Sequence, residues 1–253
     1  MDGSKVVVTG ASAGIGAALA PMLTAKGATV AVVARREERL REMVGRGDAA
    51  RYYACDLGDP AGAEAMINAA WHDLDGVDIL VNNAAIPKRR SVQDLTQAEI
   101  DDTMRTNFES PVRMAQALLP KWLERNHGMV VNVSSFGGRA GIMHEAAYCA
   151  SKFALCGWSE SMAMDLWRTG VDVRLIIPGA IDTEIWDLPD NDEPFFHGDK
   201  EPPTTVAAGI IDAIEGDAFE LYVPDMKSIA EFKTSSIDVF LRGNVEFVES
   251  QNQ

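Results

Sequence analysis

Short apolar runs alternate with amphipathic stretches along almost the whole chain, and this alternation restricts the fold more than any other feature. The runs are "KVVVTG", "ATVAVVAR", "RYYACDL", "VDILVNNAA", "MVVNVSS", "VDVRLIIPGA" and "ELYVPD". Runs this short and this rich in valine and isoleucine read as strands buried on both faces of a parallel sheet. Between them, "GIGAALAPMLTAKG", "EERLREMVGRG" and "PAGAEAMINAAWHDL" carry helical periodicity. So do residues 97–128 (one long helix), residues 145–170 and "TTVAAGIIDAIEG". Several of these stretches close on a glycine (Gly27, Gly128, Gly170), a common helix C-terminus. Strict alternation builds right-handed βαβ units. The expected fold class is therefore α/β: a single doubly wound domain over residues 1–253, with a mostly parallel seven-stranded sheet flanked by helices.

The pattern breaks once, at "EIWDLPDNDEPFFHGDKEPP", residues 184–203, where prolines, acids and three aromatics crowd together. A structureless segment of that length in a compact domain is a functional loop or a disordered one. Its aromatics suit an apolar ligand or the loop's own packing equally well. After a last strand, the tail at about 225–253 has room for a short helix.

Composition narrows the partners. The net charge of -15 removes the basic surface that phosphate neutralisation requires, so nucleic acid and anionic membrane surfaces are not expected partners. No apolar run approaches the length of a membrane span, and the N-terminus lacks a charged leader followed by an apolar stretch. Cys55, Cys149 and Cys156 have no metal-ligand spacing. They read as reduced thiols in a cytoplasmic protein, with no disulfide framework and no metal site.

The first run leads directly into "TGASAGIG", Thr9 to Gly16, which opens a helix. Gly10 suits a turn that other residues resist, Gly14 lets the backbone approach a ligand, and Gly16 allows helix to pack on sheet. A diphosphate there would meet free N–H groups at a helix N-terminus. Strand before and helix after supply the context that a glycine pattern needs to mean nucleotide binding. The second run ends "VVARREERL". Ala34 stands where an acidic side chain would hold a ribose 2′-hydroxyl, and Arg35 and Arg36 follow. A guanidinium suits a 2′-phosphate, and the missing acid weighs against two arginines that merely begin a solvated helix. The cofactor expected on these residues is NADP(H).

Tyr148 and Lys152 in "YCASK" lie four residues apart, on one face of a helix. A phenol alone is too weak an acid for proton exchange at neutral pH, and an ammonium beside it favours the phenolate. With the T-G-x-x-x-G-x-G turn, "NNAA", "SS", "YCASK" and "PGAIDT" in order over residues 4–183, the chain resembles the short-chain dehydrogenase/reductase family. The resemblance implies a Rossmann domain binding a nicotinamide cofactor, assembled as a homodimer or homotetramer. It implies Tyr148 as general acid/base, Lys152 on the nicotinamide ribose, Ser135 (thirteen residues before the tyrosine) polarising the substrate carbonyl, and Asn107 holding a water in a proton relay. It further implies a phosphate loop of Gly10, Ser12, Gly14, Ile15 and Gly16, with Arg35 the main 2′-phosphate contact and Arg36 its helper. Asp56 and Leu57 fall at the adenine, Asn82 and Ala84 at the ribose, and Pro178, Gly179, Ile181 and Thr183 at the carboxamide. The family usually has N-N-A-G where this chain has Ala85, which puts the local loop geometry in question.

The expected function is NADP(H)-dependent hydride transfer between the nicotinamide and a ketone or secondary alcohol, a small molecule of unspecified identity. A 3-oxoacyl-thioester reductase and a non-catalytic NADP(H)-sensing protein are the alternatives. The chain's acidity opposes the first, which needs a basic docking surface, and the presence of Ser135, Tyr148 and Lys152 together opposes the second. The "PKRR" cluster, Lys88 to Arg90, either greets an acidic substrate or belongs to a solvated loop, and His144 is a candidate for the pocket wall or a capping residue.

Overall fold

A computed structural model describes residues 1–251. Seven strands form the sheet: β1 Lys5–Thr9, β2 Thr29–Ala34, β3 Arg51–Ala54, β4 Ile79–Asn82, β5 Gly128–Val133, β6 Val171–Pro178 and β7 Glu220–Val223. Their order is β3-β2-β1-β4-β5-β6-β7 and every neighbouring pair is parallel. Side chains alternate across a strand. Accordingly Val6 and Val8 of β1 enter one hydrophobic layer and Val7 the other.

The first layer is roofed by α1 (Gly14–Ala25), α2 (Glu37–Arg46) and α7 (Pro203–Glu215), through Leu19, Leu23, Leu40 and Ile210. The second is roofed by α3 (Pro60–Asp73), α5 (Ser110–Arg125) and α6 (Ala146–Leu166), through Ile67, Leu118, Trp122 and Met162. Chain order reverses between β1 and β4, and such a switch point opens a crevice at the carboxyl ends of the strands.

Two stretches depart from the sequence reading. The long helix over 97–128 is α4 (Gln97–Met104) and α5 joined by a π turn, Arg105–Glu109. The Ser110 N–H reaches the carbonyl of Arg105, five residues back, which widens the helix at Asn107. A capping box of Thr96 and Glu99 starts α4 and pulls the Glu99 carboxyl down to about 2, chiefly through the Thr96 backbone N–H. The tail holds two helices where the sequence suggested one: α8 (Lys227–Ser235) and α9 (Ile237–Gln251). Among the described residues no helix is long and apolar enough to cross a membrane.

Candidate active site

The turn after β1 has the geometry that its glycines predict. Gly10 and Gly14 both have positive φ, and a Cβ on Gly14 would lie 2.8 Å from the Thr183 methyl. Gly16 packs against the Gly10 carbonyl, where a Cβ would sit at 2.7 Å. α1 begins without a side-chain cap, so its first N–H groups are left for a ligand. They face a cavity of about 340 Å³ lined by Gly10, Ser12, Gly14, Ile15, Arg35, Arg36, Asp56, Leu57, Ala84 and Thr183. Ala85 lies on its wall and has no positive φ, so its methyl strains nothing.

Three residues named from the sequence stand behind the cleft. Gly16 is in the packing just described. Asn82 is 2% exposed and points into the core, donating to Asn132 Oδ1 at 2.9 Å; Asn83 takes the place on the cavity wall. Asn107 is fully buried and clamps Ile86, donating to its carbonyl and accepting from its N–H, both at 2.9 Å, with a further bond to Ser151. Ile86 lies on the cavity wall, so Asn107 shapes the cleft through it.

At the strand-end rim, Arg35 is exposed and its guanidinium has no hydrogen-bond or ion-pair partner among the described residues. Arg36 donates to the Ser12 hydroxyl at 3.0 Å and to Glu184 at 2.5 Å, and Arg39 reaches the other oxygen of Glu184 at 2.6 Å. Both guanidinium contacts hold the Glu184 carboxyl below its ordinary range. Glu184 and Arg39 carried no signal in the sequence, because their meeting joins positions 145 residues apart.

A second cavity of about 390 Å³ adjoins the first and shares Ile15, Asn83, Ala85, Thr183 and Ile185 with it. Ser135, Tyr148 and Lys152 meet on its wall, together with Pro178, Gly179 and Ile181. Ser135 begins a short turn after β5, its hydroxyl accepting from the Gly137 N–H at 3.0 Å. Lys152 is 1% exposed, and its ammonium donates to the Val133 carbonyl at 2.9 Å, 5.8 Å from the centre of the Tyr148 ring. Burial pulls Lys152 down to about 8. The phenol departs from the sequence argument: burial pushes Tyr148 up and Lys152 is not among the groups acting on it, while the Ser135 hydroxyl pulls it down. Ser134 is structural, bonded to the Lys152 carbonyl and beside Cys156.

The remaining walls are mostly apolar, broken by Arg89, Glu145, Glu193 and Asn244. Ile142, Met143 and Phe136 come from the segment before α6, and Trp186, Phe195 and Phe196 from the irregular loop. Phe240, Asn244, Phe247 and Val248, spaced as one helical face, come from α9. The sequence missed this wall because α9 is apolar on more than one side; Val239 and Leu241 stay exposed. The "PKRR" cluster neither greets solvent nor lines a mouth as a patch. Arg89 is 4% exposed and donates to the carbonyls of Ile185, Trp186 and Asp192, while Lys88 and Arg90 pair with Glu99 and Asp190. The cluster ties the loop to the body of the protein. His144 lies beside the loop, its Nδ1 3.2 Å from Asp192 and its ring edge-on to Phe195.

Residues 4–193 match the family model described as short chain dehydrogenase. The chain belongs to the short-chain dehydrogenase/reductase family. Family membership makes it an oxidoreductase, and its relatives are diverse. A D-threitol dehydrogenase of Mycolicibacterium smegmatis is 36% identical over 201 residues, covering 76% of this chain and 77% of the relative. A 3-oxoacyl-acyl-carrier-protein reductase of Vibrio cholerae is 34% identical over 186 residues, covering 73% and 76%. Among solved members of the family, a metagenomic short-chain oxidoreductase in complex with NADP is 29% identical with a TM-score of 0.74, over 88% of this chain and 97% of that one. A Burkholderia phymatum member in complex with NAD shares the fold at 22% identity and a TM-score of 0.85, over 94% and 95%.

Proposed function

We propose that this protein is an NADP(H)-dependent oxidoreductase interconverting a ketone and a secondary alcohol, with Tyr148 as the general acid and base. The observation that carries the reading is the meeting of Ser135, Tyr148 and Lys152 on the wall where an apolar cavity joins the glycine-lined cleft. The uncapped α1, the close approach at Gly14 and the uncommitted Arg35 fit a dinucleotide bearing a 2′-phosphate. When bound there, the nicotinamide supplies or accepts the hydride. Ser135 holds and polarises the carbonyl oxygen, a preorganised electrostatic role. Tyr148 gives that oxygen its proton in reduction and takes it back in oxidation. Lys152 places a cation behind the phenol, and Asn107 fixes the Ile86 backbone at the junction, with the water relay implied by resemblance part of this proposal.

The relatives support alcohols and ketones as the substrate class, because one acts on a polyol and another on an oxoacyl group. A homodimer or homotetramer through the α4, α5 and α6 faces belongs to the same reading, supported by Met164 and Trp167, which are 71% and 84% exposed. Three free thiols support a cytoplasmic setting.

The test is a fluorescence titration with NADPH and NADH, followed by a carbonyl panel that includes acetoacetyl-CoA. NADPH preferred by about tenfold, or about 1.4 kcal/mol, with the preference lost in Arg35→Ala, is the expected result. Turnover should fall about a hundredfold or more in Tyr148→Phe, in line with the loss of general acid–base catalysis. Equal affinity for both cofactors overturns the NADP assignment, and undiminished turnover in Tyr148→Phe overturns the catalytic one.

A further inference from the structure

Glu145 occupies a position that hydride transfer does not explain. It precedes α6 in a non-helical conformation (φ -117, ψ 32), one turn ahead of Tyr148, and it lines the apolar cavity. Its carboxylate takes part in no hydrogen bond and no ion pair among the described residues. The cation nearest to it in effect is Arg89, whose guanidinium is already spent on three loop carbonyls. The same cavity is lined by Ile142, Met143, Phe195 and Trp186, and by a second carboxylate, Glu193. The carboxylate oxygens are open to the cavity, and a ligand that fills the cavity strands them unless it brings a hydrogen bond of its own.

We propose that Glu145 is a substrate-specificity residue that binds a hydroxyl group of the substrate, so that the enzyme acts on hydroxy ketones and the matching diols. This rests on the reading of Tyr148 as the group facing the reacting oxygen. Glu145 and Tyr148 line the same cavity, so one small substrate can reach both, its second hydroxyl close to the reacting one. A hydroxyl fits better than an ammonium for two reasons. The Arg89 cation acts on the same carboxylate and would repel an ammonium. Burial also pushes the Glu145 carboxyl up to about 7, so near neutral pH it is present both as carboxylate and as acid. A hydroxyl donates to the first and accepts from the second. The contact helps the chemistry too. The Glu145 charge pushes Tyr148 further up, and a donated hydrogen bond disperses that charge.

The test compares 2-hydroxyacetophenone with acetophenone by kcat/KM in the NADPH-loaded enzyme. Wild type should prefer the hydroxy ketone by tenfold or more. Glu145→Leu should shrink the ratio to within about threefold, and Glu145→Gln, whose amide also donates and accepts, should keep most of it; circular dichroism establishes that both variants fold. Calorimetry with 1-phenyl-1,2-ethanediol and 1-phenylethanol on the NADP+-saturated protein reads the same contact without turnover. A diol preference lost in Glu145→Leu, in a protein that turns over neither ketone, upholds the hydroxyl contact and overturns the Tyr148 reading instead. Turnover of both ketones with one ratio in wild type and Glu145→Leu overturns the hydroxyl contact and leaves Tyr148 standing. Equal binding of diol and alcohol to the wild type likewise overturns it.

Discussion

Replacing Glu184 by glutamine should raise affinity for NADPH and leave affinity for NADH where it was. Glu184 spans two guanidinium groups at the rim of the glycine-lined cleft, 2.5 Å from Arg36 and 2.6 Å from Arg39. On the proposed NADP(H) reading, a 2′-phosphate directed to Arg35 and Arg36 meets this carboxylate already in place and must loosen it. All three side chains are close to half exposed, so water and salt screen the pairs. Exposed ion pairs are worth a few tenths to about 1 kcal/mol each, so the two together oppose the phosphate by about 0.5–1.5 kcal/mol. That corresponds to roughly a two- to tenfold gain for NADPH in Glu184→Gln, since 1.4 kcal/mol is a factor of ten. NADH, without the phosphate, is the internal control. Titrations at low and high ionic strength should show the gain shrinking as salt rises, because the pairs are screened. An equal change for both cofactors, or no change for either, would refute the argument that the carboxylate competes with the phosphate.

Three further outcomes follow from particular contacts. Lys152 ionises near 8 in the folded protein against an ordinary 10.5, so between those values the unfolded chain binds more protons and the lysine's contribution to stability rises with pH. In melts of the cofactor-free protein, the stability of wild type relative to Lys152→Met should therefore improve from pH 8 to 10.5; a constant difference would count against the shifted lysine. Gly14→Ala puts a Cβ at positive φ against Thr183, at a conformational cost of about 1–2 kcal/mol. It should lower Tm and weaken both cofactors together, and an unchanged Tm would contradict the strain. Arg89→Met removes the donor that gathers three carbonyls of the loop, so limited proteolysis should cut within 184–203 sooner than in wild type. Equal cutting rates would mean that other contacts hold the loop.

The inner strands were legible because burial on both faces forces a continuous apolar run into the sequence, as in "VVV" of β1, while the edge strands β3 and β7, more open, still carry short apolar or aromatic runs. The glycine turn and the Tyr148–Lys152 pair were legible because their geometry is local, set by φ and by one helical turn. What escaped depends on contacts between distant positions. Arg89 looks like part of a solvated basic cluster until residues 185–192 bring carbonyls to it from about a hundred positions away. The π turn at Asn107 keeps helical periodicity on both sides, so the extra residue leaves no mark beyond Pro111 nearby. Glu145 is one acid among many in an acidic chain, and only the cavity around it sets it apart. The balance at Tyr148 was misjudged from sequence for the same reason, since desolvation depends on everything packed around the phenol.

The α9 wall separates two things along the chain. Every residue of the glycine-lined cleft is in place by position 188, whereas the apolar cavity is closed by Met226 of the turn before α8 and by Phe240 to Val248. The C-terminal helices thus bear on the second cavity alone, beside the Glu145 segment and the 184–203 loop. Variation confined to 226–248 alters one wall of the cavity while the sheet, the glycine turn and the Tyr148–Lys152 helix stay as they are, so one oxidoreductase framework can be reshaped on that side by exchanging a single contiguous segment.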